Sequence, residues 1–358
     1  TIEPAVESIS ENNNSELRAE KKLLENEYLK VELNNKGEIT SIVDKEKDFE
    51  VTDKLCNSFK MYQDAPSNFD AWDIDSMYKD NPVNLNNKAE IEVMSKGPLA
   101  AVIKVTRTLN NSELTQKIIL KQNSKRVDFK TSIDWQENHK LLKVNFPVNI
   151  HTDEAISEIQ FGHLSRPNHE SRPYDKDQYE LCNHKWTAIT EANRGFGILN
   201  DSKYGVDVED NSVNLTLLES PLAPDMHADK GKQEFTYSFY FWNGSFYDSD
   251  IVKQAYDLNT PVITNTGAAG EKSLFGLDAD NIIIETVKKA EDGSDGIIVR
   301  LYETKRAATD CTLTTDIEFE DVVETNMLEK EKGEIQFDGK KVKLSFTPFE
   351  IKTLRFIV

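Results

Sequence analysis

From Tyr28 onward the apolar positions fall at every second residue: Leu29, Val31 and Leu33 face one way, while Lys30, Glu32 and Asn34 face the other. One packed face and one wetted face is what this period encodes, so a strand is expected. Asn34-Asn35-Lys36-Gly37 then offers amides and a glycine that tolerate positive φ, before residues 39–43 resume the strand pattern. An opening β-hairpin follows. The period returns in Ala101, Ile103 and Val105, and again in Val127, Phe129, Thr131 and Ile133. Antiparallel strands half-buried on one face read this way. Further strands are expected at residues 196–199, 213–217 and 235–241, then at 282–284, 296–301, 342–346 and 354–358. Three segments depart from the rule. Residues 1–14 are polar and aperiodic, a mobile lead-in. Residues 15–24 carry a short helical pattern and read as linker. In residues 250–258 the apolar positions take helical spacing behind Asp250 as a cap, and Pro261 stops the helix.

Between the early strands and the later ones, residues 56–78 form a loop-like stretch dense in aromatics and acids. Asp64, Asn68, Asp70, Asp73 and Asp75 alternate there with Tyr62, Phe69, Trp72 and Tyr78. Aromatic faces beside carboxylates suit the apolar face and hydroxyl rim of a sugar ring, and a loop on a β scaffold is where such a site is carried. The alternative is a solvated loop pinned by one buried Trp. Residues 264–272 are small and featureless, and divide a large domain from a smaller C-terminal sandwich.

Length and charge narrow the function classes. The chain has 358 residues, enough for two domains, and 43 Lys plus Arg against 63 Asp plus Glu give a net charge of −20. That balance repels polyanions, so neither nucleic acid nor an anionic membrane surface is an expected partner. Cys56, Cys182 and Cys311 are odd in number and widely spaced. They imply no disulfide framework or structural zinc site, and buried free thiols are the expectation. No apolar run reaches membrane-spanning length and no signal-peptide pattern opens the chain, which leads to a soluble, cytoplasmic expectation. Phosphate loops, His-x-x-x-His metal motifs and nucleophile elbows are absent from the sequence. Asp70, Asp73, Asp75 and Asp225 are the candidate carboxylates, but a glycosidase pair is defined by its separation, which a sequence does not display.

Residues 24–33, Leu-Glu-Asn-Glu-Tyr-Leu-Lys-Val-Glu-Leu, with Gly37, Ile39 and Asp44-Lys45, resemble the entry into the β domains of family 38 glycoside hydrolases, the α-mannosidases. The likeness continues through Asp70-Ala71-Trp72-Asp73-Ile74, Arg166-Pro167-Asn168-His169 and His184-Lys185-Trp186. It persists in Ser220-Pro221, in Ala223-Pro224-Asp225, and in Pro348-Phe349-Glu350-Ile351 near the end. One position departs from it: Glu219 stands where similar chains often carry a basic residue before Ser-Pro.

The resemblance implies an all-β chain: residues 1–23 as lead-in, a galactose-mutarotase-like β supersandwich over 24–265, and a smaller C-terminal β sandwich over 266–358. It implies the non-catalytic C-terminal half of a retaining α-mannosidase, inactive alone. The nucleophile and the zinc belong to an upstream α/β barrel, and no metal is expected in this chain. The implied partners are that N-terminal catalytic domain and an α-mannoside substrate, with a homo-oligomer left open. Asp70, Trp72, Asp73 and Asp225 are the expected substrate-binding residues, and an apolar surface near Trp72 is expected where the upstream domain would pack. A stand-alone carbohydrate-binding module is the alternative reading; an aldose epimerase ranks last, because fold does not carry function.

Overall fold

In the computed structural model, which describes residues 17–86, 88–267 and 272–358, nearly every element is a strand. Two compact units result, one from residues 17–158 and 165–261, the other from 159–164 and 262–358. The lead-in expected over residues 1–14 lies outside the described residues.

The large unit holds three antiparallel sheets. The first is a five-stranded meander through Arg18–Glu20, Leu23–Glu25, Leu29–Leu33, Ile39–Asp44 and Phe49–Glu50. The helix expected over residues 15–24 is therefore a strand pair, Arg18 opposite Glu25. Its charged residues do stay outside, but Leu17, Ala19 and Leu24 join the common core, and burial of alternate residues outweighs the weak helical pattern. In the next hairpin the side-chain oxygen of Asn34 accepts from the amides of Lys36 and Glu38. Gly37 has φ +76°, and a Cβ there would stand 2.5 Å from Val105 Cγ1. Both the backbone and the space require glycine at that corner.

A nine-stranded sheet is centred on Gly231–Asn243, flanked by Arg126–Trp135 and Arg194–Asn200. It packs on a six-stranded sheet ordered Leu181–Cys182, Gly205–Glu209, Ser212–Leu218, Lys140–Pro147, Ser58–Gln63 and Pro82–Val83. Between them Phe129 stacks on Tyr237 at 5.1 Å and meets Phe146 edge-on at 5.7 Å, in one continuous core. The strand Lys140–Pro147 is buried on both faces. Leu142, Val144 and Phe146 enter this core; Leu141, Lys143 and Asn145, also buried, point the other way, beneath the loops that build the site.

The one α-helix among the described residues, Ile251–Asn259, stands where its spacing put it. Asp250 precedes it but makes no side-chain cap; its carbonyl accepts from the Gln254 amide instead. The small unit is a sandwich of a four-stranded sheet on a five-stranded one, with Val299, Leu301, Leu313, Val322, Leu354 and Phe356 fully buried. Cys56 and Cys311 are buried free thiols, whereas Cys182, at the edge of the six-stranded sheet, is exposed, contrary to expectation.

Candidate functional site

Three neighbouring strands of the six-stranded sheet end at one place. Ser58–Gln63 runs out at Asp64, Lys140–Pro147 begins after His139, and Ser212–Leu218 runs out at Glu219. Backbone bonds tie the three ends together: the Asp64 amide donates to the His139 carbonyl at 2.9 Å, and the His139 amide donates to the Ser220 carbonyl at 2.7 Å. The stretch expected to be wholly a loop over residues 56–78 is thus strand as far as Gln63 and loop only beyond it.

That loop is held at a few points. The Asp70 carboxylate accepts from the amides of Leu222 at 2.6 Å and Ala223 at 2.9 Å, and its other oxygen lies 3.0 Å from His139 Nε2. Desolvation pushes the Asp70 pKa up, but these amides and the His139 ring hold it below the usual carboxylate range. Further on, the Tyr179 hydroxyl donates to the Ile74 carbonyl at 2.8 Å, and Tyr78 is only 1% exposed. The loop is pinned by a buried tyrosine and a bonded carboxylate, not by a buried tryptophan.

Phe69 has φ +56°, and the amides of Trp72 and Asp73 both donate to its carbonyl. This tight turn leaves Phe69 72% and Trp72 75% exposed. His139 and Asp229 also have positive φ, so all three segments at the site carry a non-glycine residue in the left-handed region. Such residues persist only where surrounding bonds over-determine them. Phe69, Asp70, Trp72, His139 and Leu222, with residues 65–68 and 223–224, line an open groove of about 580 Å³. Met77, further along the same loop, and Met226, on the segment after Glu219, are exposed as well.

Of the four residues singled out from sequence, Asp70 and Trp72 share this groove, whereas Asp73 and Asp225 do not line it. Both of the latter are exposed and turn back on local backbone: Asp73 accepts from the Ile74 amide, Asp225 from the His227 amide. Asp70 has both oxygens engaged and acts as the clamp of the loop. Trp72 stands exposed at the groove wall.

Two polar clusters escaped sequence reasoning. On the outer face of the same sheet, Lys143 Nζ lies 2.8 Å from Asp207 and pairs with Glu180, while Lys79 lies 3.2 Å from Asp207 and 3.1 Å from Glu209. Burial pushes the Asp207 pKa up, but the two ammonium groups outweigh it and hold it below the ordinary value. For Glu180 burial wins, and its pKa is raised. A lysine inside the apolar run Leu-Leu-Lys-Val was the available signal for this cluster.

The second cluster is at the strand ends, where the carboxyls of Asp64 and Glu219 meet in side-chain hydrogen-bonding contact. Asp64 is 2% exposed, and neither Asp64 Oδ1 nor Glu219 Oε1 receives a bond from any N–H or O–H donor. Burial and the Asp64 charge push Glu219 up to about 8. The unusual Glu before Ser-Pro was its trace in the sequence.

Among the described residues no three His, Cys, Asp or Glu side chains are grouped so as to hold a metal ion, so the donor set here does not fit a zinc centre. No helix among them is long and apolar enough to cross a membrane.

Comparison with known proteins supplies the family. Residues 24–227 match the glycosyl hydrolases family 38 C-terminal domain, and residues 281–354 match the family 38 C-terminal beta sandwich domain. The chain is 35% identical over 357 residues to Alpha-mannosidase G of Dictyostelium discoideum, covering 94% of this chain and 32% of that protein. It is 33% identical to Alpha-mannosidase 2C1 of Mus musculus, with 94% of this chain and 33% of that protein covered. The fold is shared with an alpha-mannosidase from Enterococcus faecalis V583 at TM-score 0.78 and 19% identity, over 95% of this chain and 43% of that one. The chain thus spans about a third of the length of the curated relatives it matches. Two family domains in the order of the two sandwich units, together with relatives matched along almost the whole chain, establish that it belongs to glycosyl hydrolase family 38, as the C-terminal part.

Proposed function

We propose that this chain is the non-catalytic C-terminal half of a retaining α-mannosidase that hydrolyses terminal α-mannosides. Its loops shape the rim of a sugar site built mainly by an upstream catalytic domain. The observation that carries the reading is the coincidence of coverage and surface: the matched relatives are α-mannosidases about three times as long, and this third presents Phe69 and Trp72 to solvent beside a groove. An aromatic face of that kind packs on the apolar side of a sugar ring or on a partner domain. Trp72 meets the ligand or the partner directly; Asp73 and Asp225 stand on the neighbouring turns, and Asp70 keeps the Trp72 loop in place. Zinc belongs to the upstream part in this reading, and no step is assigned to it here. The cytoplasm is the compartment proposed, in keeping with three cysteines that form no disulfide.

The test is complementation. The chain mixed with the upstream part of its parent polypeptide, in the presence of zinc, is expected to restore hydrolysis of an aryl α-mannoside that neither piece performs alone. A stable complex without activity, or turnover by this chain in isolation, overturns the proposal.

A further inference from the structure

Two carboxyl groups in hydrogen-bonding contact need one proton between them, because two carboxylates offer only acceptors. Asp64 and Glu219 meet this condition in a place that offers no other remedy. Asp64 Oδ1 and Glu219 Oε1 are buried and receive nothing from an N–H or O–H group, and most of the charges around them are of the wrong sign. Asp70 and Asp75 face the pair from the Trp72 loop, and Asp229 faces it from the loop after Glu219. His139, at the start of the middle strand, is the basic neighbour, and it is engaged with Asp70. Lys140 next to it reaches Gln63 instead, 2.5 Å away. On the far side Lys203 acts on Asp229 and Asp201.

The position of the pair matters more than its burial. Asp64 is the first residue of the loop that carries Phe69, Asp70 and Trp72, and Glu219 is the first residue of the segment that receives Asp70 through the Leu222 and Ala223 amides. The Glu219 amide in turn donates to Asp229 at 3.0 Å. The two carboxyls meet across the strand Lys140–Pro147, where the two loops leave the sheet. We infer that Asp64 and Glu219 hold a single proton between them and that this shared proton is a positioning device, closing the base of the Trp72 loop onto the 219–229 segment.

The sign of the pH effect follows. Glu219 is held in the protonated form up to about pH 8 in the folded chain, against an ordinary carboxylate value when unfolded. Its contribution to stability is complete below the ordinary carboxylate range, declines as pH rises, and is lost above about 8, when the buried Asp64 and the half-buried Glu219 are both ionised.

Trp72 is an exposed indole, while Trp135, Trp186 and Trp242 are buried, so fluorescence and acrylamide quenching of the intact chain report on the loop, with Trp72→Phe as the blank. Between pH 6 and 9.5 the Trp72 signal is expected to change with a midpoint near 8. Glu219→Gln, whose amide donates to Asp64 without titrating, removes the transition while leaving the far-ultraviolet circular dichroism unchanged; Asp64→Asn does the same from the other side. If one variant does not fold, the other decides. A flat wild-type profile overturns the inference. So does a transition that survives in the folded variant, or one that His139→Gln abolishes and Glu219→Gln does not. The readout needs no substrate, so its failure is separate from failure of the mannosidase reading.

Discussion

The six-stranded sheet carries two buried groups of acids that are neutralised in opposite ways. At mid-sheet, Glu180 and Asp207 share Lys143, with Lys79 as a second cation on Asp207. At the strand ends, Asp64 and Glu219 have only a proton to share. A lysine is a permanent partner at any physiological pH, so the first group acts as a fixed support under Tyr78 and the end of the loop. A proton leaves when the solution changes. The same element, built from the same residue types, is therefore rigid at its centre and responsive at its edge, and the groove with Trp72 sits over the responsive end.

The contrast is broken most strongly at Lys143. Lys143→Met removes the cation and leaves two carboxylates buried, with an expected loss of about 3–5 kcal/mol in urea unfolding, the range for a broken buried ion pair. A loss under about 1 kcal/mol would mean that Lys79 or water already does the neutralising. A smaller effect is expected at the clamp. Asp70→Ala leaves the Leu222 and Ala223 amides without their acceptor, for about 1–3 kcal/mol, and increases acrylamide quenching of Trp72; unchanged quenching would show that Tyr78 and Tyr179 alone hold the loop. The smallest stability effect is expected at Trp72 itself. Trp72→Ala changes unfolding by no more than about 0.5 kcal/mol, because the ring is mostly exposed, yet it lowers the activity recovered on complementation. Were the isolated chain to bind mannosides in calorimetry and lose that binding in Trp72→Ala, the stand-alone carbohydrate-binding module would become the better reading.

Much of the fold was legible along the chain because burial imposes a period. Leu29, Val31 and Leu33 alternate in the sequence and are all buried in the structure. The helix at Ile251–Asn259 shows its spacing as plainly. Arg18–Glu20 was misread because three residues are too few to display a period, and only the partner strand Leu23–Glu25 makes it β. Lys143 and Asn145 lie on a strand face that looks solvent-facing by alternation; Tyr78 and Glu180 meet Lys143, and Asn145 is bonded to Ser212 and Asn214 of the neighbouring strand. Trp72 was singled out by its composition, and its exposure was a matter of the turn at Phe69.

The longer alternating strands, the Asn-Asn-Lys-Gly turn, the acidic balance and the Asp-Ala-Trp-Asp motif were determined by the sequence alone, because each can be read from the residues without knowing what packs on them. Which carboxylate clamps, which faces solvent and which shares a proton was decided only by tertiary structure. Asp64 and Glu219 are far apart in sequence and meet only because the strands that end in them flank a third. A proton has no letter in the sequence; its place is set by burial and by the charges that folding brings near.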